Sequence, residues 1–154
     1  MSNNLTDNVN MLSPLGFRLT INSQEYANVE YFCTSVAFPS ITMGEIPVRY
    51  RNYPTNFPDN SIDYTPLSVE FIVDEEMRNY LEIYEWMKFN VEHQITTKDM
   101  TLSILSNRNL TNKQTRFIDA FPTNLAELQF DIKQTDFEYL SCVCEFSYSY
   151  YEFI

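Results

Sequence analysis

Apolar residues alternate with polar ones in several runs along the chain, and each run predicts a strand with one buried face. The first sets Leu15, Phe17, Leu19 and Ile21 against Gly16, Arg18 and Thr20. A second strand is expected over Val29–Phe38, and a third where Leu67, Val69, Phe71 and Val73 alternate with Ser68, Glu70 and Ile72. Further strands are expected over Met100–Leu105, Thr115–Phe121, Leu128–Ile132 and Phe137–Phe153. In the last, Leu140, Cys142, Cys144, Phe146, Tyr148 and Tyr150 share one face, and Ser141, Val143, Glu145, Ser147 and Ser149 the other. Asn124 and Glu127 have the spacing of a helical cap, but the alternation behind them favours a strand.

The period changes after Val73. Met77, Tyr80, Leu81, Tyr84, Met87 and Val91 recur at three- and four-residue spacing, which predicts a helix of about four turns. Asp74 is its expected N-cap, with Glu75 and Glu76 in the first turn, where the helix dipole favours negative charge. Ile83, Trp86 and Phe89 lie off that stripe, so the helix carries apolar surface on a second side. A subunit interface would account for it.

Residues 39–66 read differently. They hold five of the seven prolines, Pro39, Pro47, Pro54, Pro58 and Pro66, among Asn52, Asn56, Asp59, Asn60 and Asp63. The expectation is a long loop excursion with a short strand at Ile46–Tyr50, of the kind that contacts a partner. Residues 1–13, polar and Asn-rich, are expected to form a flexible N-terminal arm, leaving 14–154 as a single domain. About seven strands and one helix give a mainly β fold: a mostly antiparallel sandwich or barrel with one packed α-helix. No internal repeat is visible.

Composition narrows the class. A chain of 154 residues has room for one sizeable core, and 44% hydrophobic with 16% aromatic residues, including 11 Tyr and 12 Phe, excludes a disordered chain. With 21 Asp plus Glu against 10 Lys plus Arg, the net charge of −11 excludes the electrostatic route to nucleic acid. No apolar run of about 18 residues is present. The start, Met1-Ser2-Asn3-Asn4-Leu5-Thr6-Asp7, lacks the basic and apolar regions of a signal peptide. The expectation is therefore a soluble protein made in a cytoplasm, with no membrane partner.

The chemical inventory is thin. Cys33, Cys142 and Cys144 are odd in number and read as buried, reduced thiols. One Cys-x-Cys pair and His93 fall short of the four Cys or His donors that structural zinc takes. His93 would be the sole base for any nucleophilic triad, and Gly16 and Gly44, the only glycines, cannot build a phosphate loop. Glu82 and Glu85, three apart on a helix, read as a solvated face. The sequons Asn4-Leu5-Thr6 and Asn109-Leu110-Thr111 carry no meaning without a secretory signal. No residue is assigned a catalytic, cofactor-binding or metal role, no cofactor is expected, and the chain reads as no enzyme.

The order of landmarks resembles the tail tube proteins of contractile-tailed bacteriophages, related to the tubes of contractile injection systems. Phe17-Arg18-Leu19-Thr20-Ile21 leads to Phe32-Cys33 and Ala37-Phe38-Pro39, then to Ile46-Pro47-Val48 and Arg51-Asn52. Leu67-Ser68-Val69-Glu70-Phe71-Ile72-Val73-Asp74-Glu75-Glu76 is similar to the family's strand entering its helix through an acidic turn, with Arg78 and Trp86 at matching helix positions. The segment Phe121-Pro122-Thr123-Asn124-Leu125-Ala126-Glu127-Leu128 is the most specific match. The excursion departs from the pattern, carrying Phe57-Pro58-Asp59-Asn60 in place of a glycine-containing turn.

The resemblance implies a tail-tube-like fold and a structural subunit of the virion tail. Such subunits form six-membered rings that stack into a hollow tube, with sheath, baseplate and tape-measure proteins as partners and DNA passing through the lumen. An acidic lumen would repel phosphate and let DNA slide. By position, Gly44–Pro66 is expected to contact the neighbouring ring, Met77–Val91 to pack between subunits or outward, and the N-terminal arm to order on assembly. A tube-like baseplate or tube-initiator protein shares these features. From another class, so does a monomeric glycan-binding β-sandwich that uses surface Tyr and Trp.

Overall fold

In the computed structural model, which describes residues 11–21, 32–135 and 138–154, the alternating runs fold as nine strands and one helix. In chain order these are β1 Phe17–Ile21, β2 Cys33–Ala37, β3 Ile41–Tyr50, β4 Tyr53–Tyr64, β5 Leu67–Ile72, α1 Arg78–Glu92, β6 Lys98–Leu105, β7 Thr111–Leu125, β8 Ser141–Ser147 and β9 Tyr150–Phe153. The main sheet runs β1-β6-β7-β8-β5-β2, with β9 also on β7, and every pairing is antiparallel. Strands β3 and β4 form a separate two-stranded ribbon.

Strand β7 joins the two halves of this sheet. Its first part pairs with β6 on one side and β9 on the other, and its last residues pair with β8. The register set by Thr115 opposite Phe153 and Ile118 opposite Tyr150 continues to Phe121 opposite Ser147. The Ser149 amide bridges the gap by donating to the Ile118 carbonyl at 2.9 Å. Strands β8 and β9 therefore act as one bent strand laid along β7.

The bend has a local cause. Between Lys98–Ala120 and Met100–Phe117 the β6–β7 register shifts, so Ile118 and Asp119 together face Asp99. The extra residue moves the buried positions from Thr115 and Phe117 to Ala120 and Pro122, and Asp119 takes a left-handed φ of 54°. The Asp99 carboxylate accepts from the Asp119 amide at 3.2 Å and from the Arg116 guanidinium, Nε at 3.2 Å, and the Thr97 hydroxyl reaches Asp119 Oδ1 at 3.2 Å. The Arg116 contact holds the Asp99 carboxyl below the usual carboxylate range.

Inward side chains from these strands meet in one core. Leu19 and Ile21 (β1), Met100 and Leu102 (β6), Phe117 and Ala120 (β7), Leu67, Val69 and Phe71 (β5), and Cys142, Cys144 and Phe146 (β8) are all buried, with Ile83 and Trp86 of α1 packed on them. Each large apolar side chain taken from water contributes about 1.5–3 kcal/mol. Burial also pushes the thiols up, Cys33 to about 11 and Cys142 and Cys144 likewise above their ordinary value.

Helix α1 departs from its expected form. It starts at Arg78, so Glu75 and Glu76 precede it and no acid lies in its first turn. Asp74 still serves the helix start, its Oδ1 accepting from the Arg78 amide at 2.6 Å while Met77 turns the chain at φ 56°. Asn79, buried, donates to the Ile72 carbonyl and ties the helix to β5. Both apolar sides are split: Ile83 and Trp86 of the second side face the core with Tyr80 and Met87 of the expected stripe packed against it, while Leu81, Tyr84 and Val91 of that stripe and Phe89 of the second side are exposed. Spacing finds both sides of such a helix, but only the shape of the sheet beneath selects which one is buried.

Other expectations change too. Leu15 sits in a turn and is exposed, so the first strand starts at Phe17. Residues 39–66 are not a loop excursion but mostly the β3–β4 ribbon, and the Phe57-Pro58-Asp59-Asn60 segment is strand while the turn falls at Arg51-Asn52. Leu128–Ile132 forms no strand, and Asn124 lies inside β7 instead of capping a helical turn. The long C-terminal strand begins at Ser141, breaks at Tyr148-Ser149 and leaves Tyr150 exposed. Residues 1–10 of the proposed arm, Val29–Tyr31 and Phe137 lie outside the described residues.

Two outcomes are expected. In the native protein at pH 8 the three thiols should react with a disulfide reagent about 100-fold more slowly than free cysteine, because a raised pKa and burial both suppress the thiolate; rapid native-state labelling of Cys144 would contradict the packing. The Asp99 carboxylate, with its lowered folded value, stabilises the fold above the ordinary 3.8 and loses that contribution as pH falls through the folded value. Asp99→Asn should therefore be less stable than the parent in urea at pH 7, with the difference closing as pH falls below 3.8 and through the lowered folded value.

Candidate assembly surface

The β3–β4 ribbon is built from two short alternations around a two-residue turn. Ile46, Val48 and Tyr50 alternate on β3, and Tyr53, Thr55 and Phe57 are their direct partners on β4, so all six share one face. The other face carries Pro47, Arg49, Pro54 and Asn56. A two-stranded ribbon has only edges, which is where proline's missing N–H is tolerated. Asp59–Ser61 bulge opposite Gly44, and a Cβ on Gly44 would meet Ser61 Oγ at 2.6 Å, so a larger residue there would have to displace the Ser61 and Asp59 side chains.

The ribbon is firmly rooted. At its base the Thr65 amide donates to the Ser40 carbonyl at 3.1 Å, and the Ser40 amide to Thr65 Oγ1 at 2.9 Å. The Tyr148 hydroxyl donates to the Thr65 carbonyl at 2.7 Å, and burial pushes its phenol up to about 12. The Tyr64 ring lies 5.1 Å from Tyr151 and 6.0 Å from Tyr148, and Phe38 lies edge-on to Tyr151 at 5.4 Å. This aromatic cluster reaches the core through Phe117, whose ring is 5.0 Å from Tyr148.

Beyond that root the ribbon's apolar face stays open. Ile46, Val48, Tyr50, Tyr53 and Phe57 are all exposed, Tyr53 at 76%. An isolated two-stranded hairpin is marginal in water, and a contiguous apolar face of this kind marks an interaction site. Leu81, Tyr84 and Val91 on α1, and Phe130, Ile132 and Tyr139 between β7 and β8, are further exposed apolar groups.

The weak chemical candidates do not converge. His93 is the exposed C-cap of α1 and stacks on Phe89 with centroids 4.7 Å apart. Glu82 is half-buried and Glu85 exposed. Among the described residues no group of three His, Cys, Asp or Glu is placed to hold a metal ion. Trp86 is buried and donates to the Thr96 carbonyl at 3.1 Å, so it is unavailable to a glycan. No helix among the described residues is long and apolar enough to cross a membrane. The ribbon itself was legible in part: two alternations flanking Arg51-Asn52 are a hairpin signal, masked by the three prolines within them, Pro47, Pro54 and Pro58.

No family model matches the chain. In three dimensions it is similar to a chain from the sheath/tube terminator of the extracellular contractile injection system PVC, at a TM-score of 0.75 and 18% identity, covering 96% of this chain and 99% of that one. It is similar to a chain of the PVC sheath–tube complex at a TM-score of 0.74 and 16% identity, covering 94% and 91%. The chain has the tail-tube fold. In sequence it is 28% identical over 104 residues to the tail tube terminator protein of Enterobacteria phage T4, covering 62% of this chain and 59% of that protein, less than two thirds of its length. Within the tail-tube fold of this chain, the β3–β4 ribbon is the largest element that packs mainly on itself.

The Tyr148 anchor generates a test. Tyr148→Phe should cost about 1 kcal/mol of stability at pH 7 and speed hydrogen exchange at the Ser40 and Thr65 amides. The raised phenol favours the neutral form, so its contribution is intact below 10.0 and is lost as pH rises towards about 12. The variant's alkaline stability loss should be correspondingly shallower, measured by urea unfolding at pH 9 and 11.

Proposed function

We propose that this chain is a structural, non-enzymatic subunit of the tube of a contractile tail, located in the virion tail. One observation carries the reading: a tail-tube fold that leaves a rooted ribbon with an open apolar face. Copies close head to tail into a six-membered ring, a heterologous arrangement in which different patches meet, and the ring stacks on the tube. Ribbon and exposed α1 face supply two such patches. Sheath, baseplate and tape-measure proteins are the partners this role requires. The net charge of −11 suits a conduit along which DNA slides without binding.

A second placement, a terminal ring that ends the tube, is favoured by the similarity to the T4 tail tube terminator and to the PVC terminator chain. The two placements differ in what stacks on the ring, another copy or a different protein.

Electron microscopy of the purified protein, alone and added to tail tubes, distinguishes them. Hollow tubes of open-ended length are expected for a repeating subunit, and six-fold rings found at tube ends for a terminal one. A strict monomer that joins neither tubes nor baseplates would overturn both. Removing Ile46–Phe57 and joining Glu45 to its partner Pro58 should leave the core folded by circular dichroism yet abolish assembly.

A further inference from the structure

The tip of the ribbon is a cationic island on an acidic molecule. Of the chain's 10 Lys plus Arg, Arg49 and Arg51 lie between Ile46 and Pro58, and none of the 21 Asp plus Glu does. Neither arginine makes an ion pair among the described residues. Arg51 occupies the turn at φ 56°, with its guanidinium 5.8 Å from the Tyr50 ring centroid. A left-handed backbone is uncommon for a residue other than Gly, Asn or Asp, so the turn itself does not favour an arginine at this position. Among the described residues its guanidinium meets the Tyr50 ring but no carboxylate.

A surface of opposite character lies on the connection from β7 to β8. There Glu127, Asp131 and Glu138, with Tyr139, line an open cleft of about 530 Å³. Phe130 and Ile132, both exposed, stand on the same connection, Ile132 with its side chain fully in solvent. Asp131 Oδ1 accepts from the Lys133 amide at 2.9 Å, which fixes the carboxylate at the turn. Lys133 is the one base between Glu127 and Ser141. Tip and cleft thus match in two respects, opposite charge and exposed aromatic or aliphatic groups beside it.

We propose that the Arg49–Arg51 tip of one copy docks into the Glu127–Asp131–Glu138 cleft of a second copy. The occupant is another copy because donor and receiver are distinct patches on one chain, so each copy gives one tip and takes one tip. That geometry closes as a ring or continues as a stack. Guanidinium groups meet carboxylates in paired hydrogen bonds, and Tyr50 and Tyr53 lie against the exposed apolar groups of the connection. The apolar face of the ribbon contributes area, while the charge pairs fix which surface it meets and hold two molecules of net −11 in register. The contact deepens the ring-and-tube reading and rests on it for its purpose, though not for its detection.

Photo-crosslinking of the full chain tests the contact. Tyr50 is replaced by benzoylphenylalanine, and a preparation labelled with heavy nitrogen is mixed with an unlabelled one to identify crosslinks between copies. The expected products join residue 50 of one copy to residues 127–141 of another. In Arg49→Glu/Arg51→Glu their yield should fall at least tenfold, with the circular dichroism melt unchanged, and adding Glu127→Lys/Glu138→Lys to that variant should restore it. Arg49→Lys/Arg51→Lys should retain most of the yield. Crosslinks confined to one copy, crosslinks to another surface, no crosslinks, or a charge swap that fails to restore them would each overturn the docking. If rings still form by electron microscopy in those cases, the ring reading stands without it; tip-to-cleft crosslinks with no rings or tubes would overturn the ring reading and leave the contact.

Discussion

Strand β7, Thr111–Leu125, is the element on which both halves of the sheet depend. Antiparallel partners must stay in register for their hydrogen bonds and their buried faces to coincide, and here β8 and β9 keep one register along β7 through a bend. The bulge at Ile118-Asp119 makes the bend, and the Asp99 carboxylate, held ionised by Arg116, satisfies the turned backbone. One extra residue therefore lets a single strand present Phe117 and then, three residues on, Ala120 to the same core.

That corner also positions the ribbon. Tyr148 follows the end of β8 and Tyr151 lies in β9, and these rings receive Tyr64 and Phe38 at the ribbon's root. The Tyr148 hydrogen bond to the Thr65 carbonyl links residues 83 apart in sequence. Because the root is packed into the core through Phe117, the ribbon is a directed arm and not a slack loop. A rooted arm loses less conformational freedom when it meets a partner than a free loop does.

The monomer's surface holds two opposed tendencies. The charge of −11 keeps separate copies apart, while the ribbon, the outer side of α1 and the β7–β8 connection expose apolar groups that favour association. Among the described residues β1 and β2 stand at the two ends of the main sheet. Arg49 and Arg51 place two exposed cations on a stretch free of acids from Ile46 to Pro58, one place where opposite charge on a partner can offset the general repulsion.

The sequence by itself determined the antiparallel, mainly β class with one helix, and the buried faces of β1, β5 and β8, because strict two-residue alternation leaves only one side for the core. It also carried the order of landmarks that resembles the tail tube proteins. Tertiary structure decided what local pattern leaves open. Prolines at alternate, edge-compatible positions hid the ribbon, since their cost depends on whether a neighbouring strand needs their N–H. Helix α1 has apolar residues on two sides, and the sheet's shape chose Ile83 and Trp86. Alternation over Leu128–Ile132 gave no strand because pairing, unlike periodicity, needs a partner, and no described strand pairs with this segment.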